Sequence, residues 1–86
     1  MNKSQAARTR IERQLQDDYD MQPDRWGNYK FISVMHGTEF RLKFQRQTIR
    51  LEQSVAGSWK RLKTRTYIQT DNLAEFDHYL AYREVR

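Results

Sequence analysis

Residues 39–45 have the sequence Glu-Phe-Arg-Leu-Lys-Phe-Gln, in which apolar and polar side chains alternate strictly. Because successive side chains of a β-strand point to opposite faces of the sheet, this alternation predicts a strand with one buried side and one solvent-facing side. Phe40 begins the apolar side, while Arg41 and Lys43 make the polar side basic. A half-buried strand of this kind is typical of an antiparallel sheet that is covered on one face.

Further strands are predicted before and after this stretch. Residues 29–35 are rich in β-forming side chains and end at a His-Gly-Thr turn signal. Residues 48–52 continue the alternation, and whether residues 39–52 form one bent strand or two stays open. Residues 59–69 follow a second turn that contains Gly57. Residues 29–69 therefore predict three or four antiparallel strands.

A helix is predicted over residues 4–20, with Ser4 as its N-cap. Every fourth residue is apolar, which gives a single narrow stripe. Three Asp residues crowd its end and oppose the helix dipole, so the last turn should fray. The thin stripe leaves two arrangements open, loose docking on the sheet or docking against a second copy in a homodimer. The stripe consists of Ala7, Ile11, Leu15 and Tyr19.

Residues 21–28 form a connector, in which Trp26 is expected to anchor in the core. A second helix is predicted after Thr70, where Asn72 and Glu75 have the spacing of a capping box and Arg83 lies in its last turn. The core shared by the sheet and this terminal helix is predicted to contain Phe40, Leu42, Phe44, Leu62, Phe76 and Leu80.

The order of helix, strands and helix predicts an α+β fold, a small antiparallel sheet of three to four strands with the C-terminal helix packed on one face. The length of 86 residues predicts one domain over residues 1–86. Within it, residues 1–22 form the helix and connector and residues 23–86 the sheet and terminal helix. The chain has no Cys, begins without an apolar leader and has no apolar run long enough for a bilayer. These features predict a cytoplasmic protein without a membrane partner.

The positive charge is concentrated in one block of the chain. The formal net charge is +5, but residues 41–65 alone hold eight basic residues and a single acid, Glu52. A basic block on a small domain is the pattern expected of a surface that binds a polyanion.

The predicted strand over residues 59–69 combines basic and aromatic side chains. A period of two would place Arg61, Lys63 and Arg65 on one face, with Trp59 and Tyr67 beside them and Leu62 on the other face. Cations neutralise phosphates and rings stack on bases, so this face predicts nucleic-acid binding. The predicted site residues are Arg41, Lys43, Arg46, Arg50, Trp59, Lys60, Arg61, Lys63, Arg65 and Tyr67.

The predicted function is a small non-enzymatic nucleic-acid-binding domain that holds a phosphate backbone on a basic sheet face. The alternative is a small inhibitor or adaptor, such as a phage or mobile element encodes, that docks on an acidic protein surface. A solvated face without a partner and a small basic ribonuclease also stay open. His36 and His78 lack a diagnostic neighbour in the sequence, and no cofactor or metal pattern is found. DNA or RNA, single or double strand, is left undecided.

Overall fold

The computed structural model describes residues 2–70 and 73–85. The order of helices and strands confirms the α+β class, although the sheet has five strands instead of three or four. In chain order the elements are helix α1 (Lys3–Asp17), strands β1 (Tyr29–Ser33), β2 (Thr38–Phe44), β3 (Thr48–Val55) and β4 (Ser58–Thr66), a 3-10 turn (Ala74–Phe76), helix α2 (Asp77–Leu80) and strand β5 (Arg83–Val85).

The five strands form one antiparallel sheet in the order β4-β3-β2-β1-β5. Residues 39–52 belong to two strands, because β2 ends at Phe44 and β3 begins at Thr48. In an antiparallel pair, directly opposed residues project from the same face. Phe40 of β2 opposes Phe31 of the neighbouring strand β1. Leu42 of β2 opposes Leu51 of the other neighbouring strand, β3, so apolar residues collect on one face.

Helix α1 covers that apolar face, which we call the helix face; the opposite side is the open face. Ile11 and Leu15 are fully buried in one cluster with the apolar residues of the sheet. The Tyr29 hydroxyl donates to Glu12 at 3.0 Å and accepts from the Gln16 amide at 2.9 Å. The apolar stripe of α1 is thus buried in the core of its own chain.

Both ends of α1 differ from the predicted bounds. Asn2, and not Ser4, is the N-cap, because its side chain accepts a hydrogen bond from the Gln5 backbone N–H at 2.8 Å. The helix ends at Asp17, before the predicted end at Asp20, as the crowded acids led us to expect.

The C-terminal segment is less helical than predicted. It forms a 3-10 turn and a single turn of α-helix, and Arg83 belongs to strand β5. Strand β5 pairs with residues 31–33 of β1 and so satisfies backbone groups that would otherwise lie on an open sheet edge. The Arg83 guanidinium donates to the carbonyl of Leu80 at 3.0 Å and to that of Tyr19 at 3.1 Å, which ties the segment to the end of α1. The predicted cap, Asn72, lies outside the described residues.

Burial confirms most of the predicted core and corrects two residues. Phe40, Leu42, Phe76 and Leu80 are fully buried, and Phe44 is partly buried against the same cluster. The two exceptions are Leu62, which is 38% exposed, and Trp26, which is 70% exposed instead of anchored in the core. Within residues 2–70 and 73–85, no helix has the length and apolarity needed to cross a bilayer.

Candidate nucleic-acid interface

Strand register places two neighbouring rows of mainly cationic side chains on the open face. Adjacent strands lie about 4.8 Å apart, and side chains two residues apart on one strand lie about 7 Å apart. The first row crosses β1 to β4 and consists of Lys30, Arg41, Glu52 and Arg61. The second row crosses β2 to β4 and consists of Lys43, Arg50 and Thr64. We call these seven residues the basic rows.

The basic rows hold five cations and one carboxylate, so this part of the open face is strongly positive. Two other acids of the open-face strands, Glu39 and Glu84, lie opposite Ile32, one row nearer the β1–β2 turn. The positive charge is therefore gathered at the end of the open face that lies away from that turn.

Glu52 organises the cations around it. Its carboxylate is buried and accepts a hydrogen bond from Arg41 Nε at 2.6 Å, while Arg50 lies 3.5 Å from its second oxygen. Arg50 also donates to the Gln45 side chain at 3.1 Å. Bonds of this kind fix the direction of a guanidinium group, which leaves its remaining N–H donors in defined positions.

Lys43 and Arg61 are the least engaged cations of the basic rows. Neither side chain has an ion-pair or hydrogen-bond partner in the part of the chain that the structure describes. Arg61 is exposed, and Lys43 is half-buried. A cation without an intramolecular partner is free to neutralise an external anion, so these two are the cations of the basic rows most available to a ligand.

Two tryptophans flank the cations. Trp59 is half-buried, and Arg41 Cζ lies 4.3 Å from the centre of its ring, a cation–π contact. Trp26 is 70% exposed, with Arg25 Cζ 5.0 Å and Lys30 Nζ 5.8 Å from its ring centre. Both rings thus lie beside cations of the open face.

A cleft of about 470 Å³ lies between Trp26 and the strands. Its volume falls in the range of pockets that hold small organic ligands. It is lined by Trp26, Asn28, Lys30, Arg41, Lys43 and Phe44.

Asp24 sets the shape of the turn that presents Trp26. Its carboxylate accepts from the backbone N–H of Trp26 at 2.9 Å and of Asn28 at 3.0 Å, and Lys30 lies 3.5 Å away. Burial raises the pKa of Asp24, but the backbone hydrogen bonds and Lys30 outweigh it and hold that pKa below its ordinary value. The charged form therefore holds the turn at neutral pH.

Strand β4 does not place all its cations on the open face. A β-bulge interrupts its register with β3, because Leu51 pairs with Lys63 whereas Glu52 pairs with Arg61. Leu62 is left between the two pairs, and the alternation shifts by one residue. Trp59 and Arg61 remain on the open face, and Leu62 is not part of the core.

Three predicted site residues belong to the helix face, two of them because of this bulge. Lys63 and Arg65 oppose Leu51 and Ile49, and Lys60 opposes Gln53. Arg65 Nε lies 3.0 Å from the Glu75 carboxylate, and Lys63 Nζ lies 3.4 Å from the Glu75 carbonyl oxygen and 5.8 Å from the centre of the Phe76 ring. These contacts join β4 to the C-terminal segment, so Lys63 and Arg65 have a structural role.

Tyr67 is a core residue, contrary to the prediction that it lies on the binding face. Its ring is fully buried and stacks on Phe44 at 5.9 Å, and its hydroxyl donates to the Gln45 carbonyl. Burial raises its pKa to about 12. Arg46 lies exposed in the turn between β2 and β3, outside the two rows.

The structure brings together the two histidines that the sequence leaves far apart. The rings of His36 and His78 lie 5.1 Å apart at the β1–β2 turn, and His36 Nδ1 lies 2.8 Å from the Ser33 hydroxyl. Within residues 2–70 and 73–85, no group of three or more metal-ligating side chains could hold an ion.

No family model, curated protein or solved structure matches this chain. The candidate interface is therefore defined by its own geometry. Five of the ten predicted residues lie together on the open face, namely Arg41, Lys43, Arg50, Trp59 and Arg61. Lys30 and Trp26 are not among the predicted site residues. The Pro-Asp-Arg-Trp-Gly-Asn run holds the signal for Trp26, because such turns commonly expose their central side chains.

Proposed function

We propose that this chain is a non-enzymatic nucleic-acid-binding domain that holds a phosphate backbone on the open face of its sheet. The observation that carries the proposal is the clustering of five cations around one buried carboxylate in two adjacent rows. Phosphate contacts from Lys and Arg supply most of the affinity of non-specific complexes. The proposed contact residues are Lys30, Arg41, Lys43, Arg50 and Arg61, with Trp59 beside them.

A gel-shift titration at several salt concentrations tests this proposal. The probes are duplex DNA, single-stranded DNA and RNA. If about four cations contact phosphates, the logarithm of the association constant should fall with the logarithm of salt concentration, with a slope of about −3 to −4. RNA recovered intact after incubation is the expected result for a protein without ribonuclease activity, and cleaved RNA would contradict the non-enzymatic part.

A charge-reversal pair locates the interface. Lys43→Glu with Arg61→Glu should abolish the shift, because it removes two phosphate contacts and adds two repulsions. The matched control is Arg10→Glu with Arg13→Glu, which makes the same charge change at exposed positions of α1. Equal loss in both pairs would mean that only net charge matters, and would contradict an interface on the open face.

Absence of binding to every probe at low salt would refute the proposal. The basic rows would then favour the alternative partner, an acidic protein surface, because the same charges fit both. Thermal melting of each variant separates loss of binding from loss of folding.

A further inference from the structure

From Trp26 and its cleft we infer that the nucleic acid held on the open face is a single strand, whose bases stack on Trp26 and Trp59. The inference rests on the proposed function and specifies its substrate class. It follows from the placement of two aromatic rings at the border of the basic rows. The alternation in the sequence indicates only one of these rings, that of Trp59.

The exposure of Trp26 is the first observation. Trp is usually well buried, because its large ring gains more than most side chains from leaving water. Trp26 is nevertheless 70% exposed, and Asp24 holds the backbone N–H groups of Trp26 and Asn28. The turn is thus fixed in a form that presents the indole to solvent.

The surroundings of Trp26 are the second observation. The cleft beside it, about 470 Å³, has Lys30, Arg41 and Lys43 in its wall. A nucleotide combines a flat base with an anionic phosphate, and this cleft combines a flat ring with cations. A base against Trp26 would leave its phosphate within reach of Lys43, whose ammonium group has no partner among the described residues.

Trp59 supplies a second platform on the same face. Arg41 contributes to the wall of the cleft and also lies 4.3 Å from the centre of the Trp59 ring, so this guanidinium lies between the two tryptophans. The order of groups is ring, cations, ring. That order suits a strand in which bases alternate with phosphates, since stacking tolerates any base and the cations follow the backbone.

Exposed aromatic rings add little to the binding of a duplex. Its bases already stack on each other, and inserting a side chain between them costs a few kcal/mol of unstacking. Unpaired bases are free to turn out and stack on aromatic side chains, which is how most single-strand-binding surfaces work. Cations alone do not distinguish the two forms, so the rings determine the preference.

The experiment compares a labelled single-stranded oligonucleotide of about twelve nucleotides with the duplex formed by annealing its complement. Fluorescence anisotropy measures the affinity of the full chain for each. Trp26→Ala should weaken single-strand binding roughly 5- to 100-fold, the equivalent of one stacked base, and change duplex binding by less than about 2-fold. Trp26→Phe should recover part of the loss. Tyr82→Ala, at an aromatic residue 66% exposed that belongs neither to a strand nor to the basic rows, is the matched control and should change neither affinity.

Intrinsic fluorescence gives a direct readout of stacking. The chain has two Trp and five Tyr residues, so in Trp59→Ala, excited at a wavelength that tyrosine does not absorb, the emission comes from Trp26 alone. Addition of the single strand should quench this emission strongly, and addition of the duplex should not. Thermal melting confirms that each variant is folded.

The outcomes separate the inference from the proposed function. Equal affinity for single strand and duplex, with Trp26→Ala without effect while Lys43→Glu with Arg61→Glu abolishes binding, would overturn the inference and leave the proposed function intact. No binding to either probe would overturn both. Tighter binding to the single strand that depends on Trp26 supports both.

Discussion

The two faces of the sheet use the same residue types for different purposes. On the helix face, Arg65 pairs with Glu75 and Lys63 lies over Phe76, so these cations hold the C-terminal segment against β4. On the open face, Arg41 and Arg50 surround Glu52, whereas Lys43 and Arg61 have no intramolecular partner in the described residues. A count of charges treats all of these alike. Strand register and ion-pair distances together show which of them have no partner among the described residues.

The largest difference between the faces should appear when one ring is removed from each. Phe76→Ala should lower the free energy of unfolding by about 3–5 kcal/mol, because Phe76 is a fully buried core residue of the C-terminal segment. Trp26→Ala should lower it by less than about 0.5 kcal/mol, because most of that ring is already in water. Urea denaturation measures both, and similar losses in the two variants would contradict the assignment of the faces.

A smaller loss is expected when the central carboxylate of the open face is neutralised. Glu52→Gln should lower the free energy of unfolding by about 1–3 kcal/mol, since it leaves Arg41 and Arg50 without their charged partner at a buried position. Glu84→Gln, at an exposed carboxylate of β5, is the control and should be nearly neutral. If the two variants melt alike, Glu52 does not organise the basic rows.

The two arginines of β4 should differ by less than about 1 kcal/mol in stability but strongly in binding. Arg65→Gln removes a half-exposed ion pair and should be slightly destabilising, with no effect on nucleic-acid affinity. Arg61→Gln removes a free cation and should leave stability unchanged while lowering affinity and reducing the salt slope by about one unit. Loss of affinity in Arg65→Gln, measured by anisotropy, would place the interface on both faces.

The smallest effect concerns pH. A hydrogen bond from the Thr70 hydroxyl, opposed by burial and supported by Arg65, holds the pKa of Glu75 below its ordinary value of 4.5. A depressed carboxyl pKa stabilises the fold above the ordinary pKa, and this contribution is lost as pH falls through the native value. Stability should therefore fall less steeply on acidification in Glu75→Gln than in the parent. Urea titrations from neutral pH to about pH 3 measure this, and parallel curves would show that Glu75 is not linked to folding.

Much of the fold follows from local patterns in the sequence. The alternation around Phe40 predicts β2 and its buried side, and the repeat from Ala7 to Leu15 predicts α1, because both patterns reflect burial of one side of an element. Strand β5 could not be predicted this way. Three residues are too few to show a period, and Arg83 is equally suitable for a helix terminus.

The candidate interface could be predicted only in part, for a different physical reason. Arg41, Lys43 and Arg50 follow directly from alternation within β2 and β3. Strict alternation through Leu62 predicts the wrong face for Lys63 and Arg65, because this one unpaired residue shifts the alternation. The exposure of Trp26 depends on hydrogen bonds to Asp24 in an irregular turn, which no periodic pattern indicates.

The bulge at Leu62 makes some positions of β4 far more sensitive to a change in length than others. Deleting Leu62 itself would restore strict alternation along β4 and would leave Arg61 on the open face and Lys63 on the helix face, as they are now. Deleting Lys60 would instead make Trp59 the direct neighbour of Arg61 and turn the indole to the helix face. Among related sequences, a gap at position 60 therefore predicts a changed open face, whereas a gap at position 62 does not.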